Sequence, residues 1–210
     1  VDAIISALPF TEDGDLRLCV DKGIAYQQDH STLVEYDAAY FDKYVKYNGS
    51  EVSNRINAGR VGLVNKYTLG PVVDIGIGSG EFISHRHLTW GYDVNPAAKH
   101  WLRENRLWTD ELHSFDGYSM WDVIEHVPTP LDYFQHVKPG AFLFTSIPIF
   151  EDITRVRESK HFRPNEHLLY FTEAGFIWWM GQHGFACLER QDFESRAGRE
   201  AILSYAFWKT

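Results

Sequence analysis

The 210 residues carry a formal net charge of −9, with 44% hydrophobic and 23% charged side chains, the balance of an ordinary globular chain. A net acidic chain lacks the broad basic surface that supplies most affinity for nucleic acid, so general nucleic-acid binding is disfavoured, although a local basic patch is not excluded. No apolar run is long enough to span a membrane, no basic segment opens an apolar leader, and Cys19 and Cys187 stand too far apart in sequence for a metal pattern; a cytoplasmic, reducing setting is expected. The length suits one main domain, residues 69–210, preceded by an extension over residues 1–68.

In chain order, Leu16–Val20 and Ile24–Tyr26 flank Asp21-Lys22-Gly23 and predict a small hairpin. Tyr40, Tyr44 and Tyr47 then recur at i, i+4 and i+7, one face of a helix. That face either packs on the core or forms a lid whose tyrosines line a substrate pocket. Ser50 caps a second helix, 51–66. Leu69-Gly70-Pro71 leads into Val72-Val73-Asp74-Ile75, a short apolar run that predicts a strand buried on both faces.

Gly76, Gly78 and Gly80 follow at alternate positions, and Glu81-Phe82-Ile83 opens a helical pattern. Strand, glycine turn and helix form the layout of a nucleotide-type cofactor site, in which a ligand packs on backbone where a Cβ would intrude. Asp93, near the end of the next apolar run 88–94, is placed to accept the two ribose hydroxyls of an adenosine. The spacing is G-x-G-x-G rather than the dinucleotide G-x-G-x-x-G, Asp74 lies inside the strand, and no Lys-Ser/Thr pair follows to cradle phosphate. Those details favour S-adenosylmethionine, which has no phosphate.

Asn95-Pro96 starts a helix to about residue 106, Phe115–Asp122 reads as a strand, and Lys138-Pro139-Gly140 turns into another strand, 141–147. A long polar connection, 149–167, precedes a helix over 174–182 and two closing strands, 186–190 and 201–208, joined by a charged loop, 192–200. Asp122, Glu125 and His126 are spaced to share one face of a helical turn directly after a strand end.

From Val72 to the C-terminus these residues resemble the class I S-adenosylmethionine-dependent methyltransferases. The resemblance rests on the Asp74–Gly80 turn with Asp93, on Phe115-Asp116 ahead of Asp122, and on Val137-Lys138-Pro139-Gly140. It implies an α/β Rossmann-like fold: a mostly parallel seven-stranded sheet with helices on both faces, an antiparallel last strand, an N-terminal helical lid, and a third strand near residues 108–113. It places the cofactor on Asp74, Gly76, Ile77, Gly78, Gly80, Asp93, Val94 and Trp121, and the substrate against Tyr40 and Tyr44. The stretch Asp122-Val-Ile-Glu125-His126 with Phe162-Arg163 and His167 is similar to two branches with a metal-assisted site, the ubiquinone-biosynthesis O-methyltransferases and the small-RNA 3′-end 2′-O-methyltransferases. Carried over, the metal set is Asp122, Glu125, His126 and His167, with Asp where those branches have Glu. Relatives with the same stretch and no metal use these residues only to order a loop, so both roles stay open. His126, His167 and His161 are candidate bases. The expected activity is methyl transfer to an oxygen of a small molecule, with an RNA end or a non-catalytic cofactor-binding role as alternatives.

Overall fold

The computed structural model describes residues 3–28 and 33–210. After a single turn of helix α1 (Ala3–Ser6), strands β1 (Thr11–Asp13), β2 (Leu16–Cys19) and β3 (Ile24–Gln27) form an antiparallel meander, with Gly23 in the left-handed region at the expected hairpin turn. Helices α2 (Ala38–Val45) and α3 (Glu51–Tyr67) follow. Helix α3 starts as predicted, Ser50 accepting from the Ser53 N–H, and α2 starts in the same way, Asp37 accepting from the Tyr40 N–H.

The main sheet begins with β4 (Val72–Ile75), every residue of which is buried. Helix α4 (Glu81–His85), strand β5 (Thr89–Tyr92), helix α5 (Pro96–Glu104), strand β6 (Gly117–Trp121), helix α6 (Leu131–Phe134) and strand β7 (Phe142–Pro148) alternate from there. Strand β8 (Leu169–Phe171), helix α7 (Glu173–Gln182), strand β9 (Phe185–Gln191), helix α8 (Phe193–Arg196) and strand β10 (Ile202–Lys209) complete the chain. The order across the sheet is β5-β4-β6-β7-β10-β9; β4 is parallel to β5 and β6, β6 is parallel to β7, and β10 runs antiparallel to both neighbours. This is the expected α/β Rossmann-like architecture with its antiparallel last strand. Where a third parallel strand was anticipated, Trp108 makes one parallel bridge to Gly91, which suits a segment too short and polar to pair further.

No pattern in the residues announces β8, which pairs with β3 and so joins the N-terminal meander in a second, four-stranded sheet. The connection 149–167 is therefore not merely polar: Phe150, Ile153 and Val156 pack on Leu16, Leu18, Ala25 and Tyr170 beneath this small sheet. One large core fills the main sheet's α7 side with Phe176, Trp179, Tyr205 and Phe207, and a smaller one puts Val64, Phe82, Phe144 and Ala206 on the other. Strands of a parallel sheet end together, and loops at their carboxyl ends create a crevice. No helix of the described residues is long and apolar enough to cross a membrane.

Candidate active site

A cavity of about 810 Å³ opens over the carboxyl ends of β4, β5 and β6 and is roofed by α2 and the start of α3. At one end lies the glycine turn. Gly76 has φ +74°, and a Cβ there would come within 2.6 Å of Val123 Cγ2. The Cβ direction at Gly76 is thus filled by the protein's own Val123, while Gly76 itself still lines the cavity. At Gly78, φ is +55° and an added Cβ would meet nothing within 4 Å, so here the backbone faces the cavity itself. Gly80 caps α4.

Asp93 ties this turn to the end of β5. Its Oδ2 accepts from the Ile77 N–H at 2.8 Å and its Oδ1 from the Asn95 N–H at 2.8 Å. Each oxygen keeps a lone pair for a ligand hydroxyl. Burial raises the Asp93 pKa to about 6. Asp74 is more deeply set: burial raises it to about 8, while the Ser119 hydroxyl donates to it at 2.6 Å. Val94 is exposed beside the cavity, and Trp121 lies under Arg60, whose guanidinium carbon sits 4.9 Å from the ring centroid. Asp74, Gly76, Ile77, Gly78, Asp93, Val94 and Trp121 all line the one cavity.

The roof is aromatic. The Tyr36 and Tyr40 ring centroids are 4.8 Å apart, those of Tyr40 and Tyr44 5.1 Å, and the last two hydroxyls are 3.2 Å apart. Burial pushes the Tyr36 and Tyr40 phenols well up, so both are neutral donors at neutral pH. The helix anchors to the core through Phe41 instead, among Ile77, Ile83, Ala98 and Leu102. Tyr40 and Tyr44 line the cavity, and so does Tyr36, which sequence reasoning did not single out as a site residue.

At the far end stand Glu125, His126 and His167, with ligand-type atoms all within 4.8 Å of one another. His126 lies on a 3₁₀ turn, Ile124–His126, and His167 arrives from the long connection, with imidazole centroids 4.6 Å apart. His126 Nδ1 is 3.0 Å from the Glu166 carbonyl and His167 Nδ1 is 2.9 Å from the His161 carbonyl. A carbonyl only accepts, so both Nδ1 atoms carry the proton and both Nε2 lone pairs are free. Burial lowers both histidine pKa values, that of His167 to about 3, which keeps the imidazoles neutral. Tyr36 Oη lies 3.1 Å from His126 Nδ1, joining the roof to this cluster. Burial and the Asp122 carboxylate push Glu125 well above the usual carboxylate range, and its buried Oε2 has no hydrogen-bond partner among the described residues.

Asp122 is not part of that group. Its φ is +55°, so the chain leaves β6 through a left-handed residue and no shared helical face with Glu125 and His126 forms. Its Oδ2 instead accepts from Arg199 at 2.7 Å and from Arg60 at 3.1 Å. Burial alone would raise its pKa; Arg199 and Arg60 overcome this and hold it at about 2. Both arginines also grip Glu194, which is fully buried although it belongs to the charged loop 192–200. Arg60, Glu194 and Arg199 were not legible as site residues. Their signal was only that a charged loop lies beside the last strand.

Residues 44–190 match a methyltransferase-domain family. No curated protein matches the chain by sequence. Among solved structures, the magnesium protoporphyrin IX methyltransferase of Synechocystis PCC 6803, with bound S-adenosylhomocysteine, superposes with a TM-score of 0.58 at 16% identity, covering 83% of this chain and 96% of that one. The 1,6-didemethyltoxoflavin-N1-methyltransferase of Burkholderia thailandensis gives 0.53 at 16% identity, covering 92% and 98%. A third, an S-adenosylmethionine-dependent methyltransferase of Thermotoga maritima, gives 0.59 at 16% identity, covering 82% and 97%.

Proposed function

The chain belongs to the methyltransferase-domain family, and from that premise we propose that it transfers the methyl group of S-adenosylmethionine to a hydroxyl of a small molecule. The observation that carries this reading is the single roofed cavity, with an adenosine-type cradle at one end and two neutral imidazoles at the other. Its volume of about 810 Å³ falls in the range of small-molecule sites. Asp93 takes the ribose hydroxyls, Gly78 lets the cofactor lie against the backbone, and Trp121 and Asp74 flank its amino-acid end. The acceptor lies beneath Tyr40 and Tyr44. Displacement from a sulfonium needs little beyond alignment, so holding the acceptor oxygen in line with the methyl supplies much of the rate. His126 Nε2 is a free lone pair that can take the hydroxyl proton.

The same three side chains fit a divalent metal. Two neutral imidazoles with free Nε2 atoms and a carboxylate with an unpartnered buried oxygen are a mixed nitrogen–oxygen donor set, and Glu125, His126 and His167 would hold the ion. Bound there, it would lower the pKa of an acceptor hydroxyl. Asp122, engaged by two arginines, stands outside this set.

The test incubates the protein with methyl-labelled S-adenosylmethionine and with separate small-metabolite and RNA pools, with and without chelator. Label entering a small metabolite in an alkali-stable ether supports the proposal. Label confined to RNA, or to no acceptor despite cofactor binding, overturns it.

A further inference from the structure

The charged side chains on the wall at the histidine end, Arg60, Asp122, Arg163 and Arg199, are each closed on a partner within the protein. Arg60 and Arg199 share the carboxylates of Asp122 and Glu194, two cations against two anions. Hydroxyls complete that knot: Ser204 donates to Glu194 and Ser146 accepts from Arg60, each at 3.3 Å. Arg163, the third arginine of the wall, meets Glu166 at 2.9 Å. Glu125, His126 and His167 stand apart from this account, because they face the reacting group rather than the body of an acceptor. The remaining surface is aromatic and apolar. Tyr36, Tyr40 and Tyr44 form the roof, and Val127, Pro148 and Ile202 line the cavity with them. The roof rings meet at 71° and 52°, so they present both edges and faces.

On the reading that the cofactor fills the other end, we propose that the acceptor is an uncharged molecule that lays a flat ring beneath the tyrosines, and that this wall rejects acceptors bearing a carboxylate or an ammonium group. The argument is one of charge matching. A charged acceptor would leave water for a wall whose own charges already have partners. Drawing an arginine or a carboxylate away from its pair leaves the opposite charge unmatched, so the new contact is offset by the one it breaks. The knot is the least able to yield, since Glu194 is fully buried and both arginines hold it. An uncharged ring meets no such cost. It sheds weakly held water and packs against tyrosine edges and faces, where offset and edge-to-face contacts add to the burial itself. Four charged side chains on the wall therefore act in selection by being closed to the ligand, and the tyrosines supply the attraction.

The experiment uses matched triplets of one-ring and two-ring phenols that differ in a single substituent: hydroxymethyl, carboxylate or aminomethyl. Binding to the protein saturated with S-adenosylhomocysteine is followed near neutral pH by calorimetry and ligand-observed NMR. The hydroxymethyl members should bind, and their carboxylate and aminomethyl counterparts about tenfold or more weakly. Glu166→Gln keeps the size of the side chain and the backbone carbonyl that meets His126, and it leaves Arg163 without its counter-charge. That variant should improve the carboxylate members by about threefold or more relative to the hydroxymethyl members, the scale of a half-exposed ion pair. Charged members that bind the wild type as tightly as the uncharged ones overturn the inference. So does binding by no member of the series, and so does a Glu166→Gln protein that rejects carboxylates as strongly as the wild type. The same triplets with methyl-labelled S-adenosylmethionine separate this inference from the reading it rests on: uncharged members that bind but take no label remove methyl transfer to a hydroxyl and leave the selectivity standing.

Discussion

The two ends of the cavity are built in opposite ways. The end we propose for the cofactor is the more local: Asp74 to Gly80 and Asp93 to Asn95 are two short connections tied by backbone N–H groups across 16 positions or fewer, Ile77 to Asp93 and Asn95 to Asp93. The histidine end, where we propose that the acceptor lies, is assembled from distant pieces. His126 meets Tyr36 from 90 positions away, and Arg60 meets Glu194 from 134. A local cradle survives most changes elsewhere in the fold, whereas a wall made of long-range side-chain contacts depends on all of its contributors. Damage at the two ends should therefore have different signatures.

The largest effect is expected at the acceptor end. His126→Ala removes a free imidazole Nε2 beside the acceptor, and should lower turnover by about 10²–10⁴-fold while leaving affinity for S-adenosylhomocysteine within a factor of two or so. Steady-state rates with the identified acceptor, alongside calorimetry, make the comparison. Chelator followed by metal add-back refines it: loss and recovery of turnover assign His126 to a metal, while indifference to chelator with a falling melting temperature makes the cluster a clamp between the turn after β6 and the long connection.

Next comes the ion network that frames this end. Glu194 is fully buried and held by Arg60 and Arg199, with Ser204 donating as well. Glu194→Ala leaves Arg60 and Arg199 to share the one remaining carboxylate, Asp122, so that one buried positive charge loses its partner, and should cost about 3–5 kcal/mol of stability. Urea unfolding with an unchanged slope and a lower midpoint would register it. A loss below about 1 kcal/mol would mean that the arginines find water, and that the acceptor wall is less interdependent than its contacts imply.

The same contrast explains what could be read from the sequence. The turn itself was legible: Gly76, Gly78 and Gly80 all adopt the positive φ that glycine permits, and Asp93 at the end of the second strand meets the turn at the Ile77 N–H. Ser50 and Asn95 act within a turn of themselves, and the helices begin where they stand. The acceptor wall was only partly legible. The spacing of Asp122, Glu125 and His126 suggests a shared helical face, but spacing cannot reveal that Asp122 adopts a positive φ and turns to two arginines. Glu194 lies in a stretch whose charges look solvated, and only the fold shows that it is enclosed. Strand β8 was hidden for a similar reason: Leu169-Tyr170-Phe171 is too short to announce itself, and its partner β3 is far upstream.

At the cofactor end, Asp93→Ala should weaken S-adenosylhomocysteine by about 10- to 100-fold, the net loss of one charge-assisted hydrogen bond at roughly 1.5–3 kcal/mol. Turnover at saturating cofactor should fall much less, the reverse of the His126→Ala pattern. Unchanged affinity would remove Asp93 from the ribose and with it the local account of the cradle.

The smallest and most specific effect is in pH. Burial raises the Asp93 pKa to about 6, and the ribose hydroxyls need the ionised carboxylate as acceptor. Affinity for S-adenosylhomocysteine should therefore be flat from pH 7 upward through this group and fall by about tenfold on going to pH 5, one proton being taken up for each ligand released. Stability of the free protein moves the other way. A carboxyl whose folded pKa lies above its unfolded value near 3.8 binds more protons in the native state between those limits, so its contribution to stability is greatest below about pH 4 and declines as the pH rises to 6. Asp93→Asn should abolish both trends together. Asp74, raised to about 8, titrates in a separate, higher window and should leave the step near pH 6 untouched. A binding curve that steps near pH 6 in the wild type and still does so in Asp93→Asn would assign the proton elsewhere, and the cradle would then depend on a group outside its two short connections.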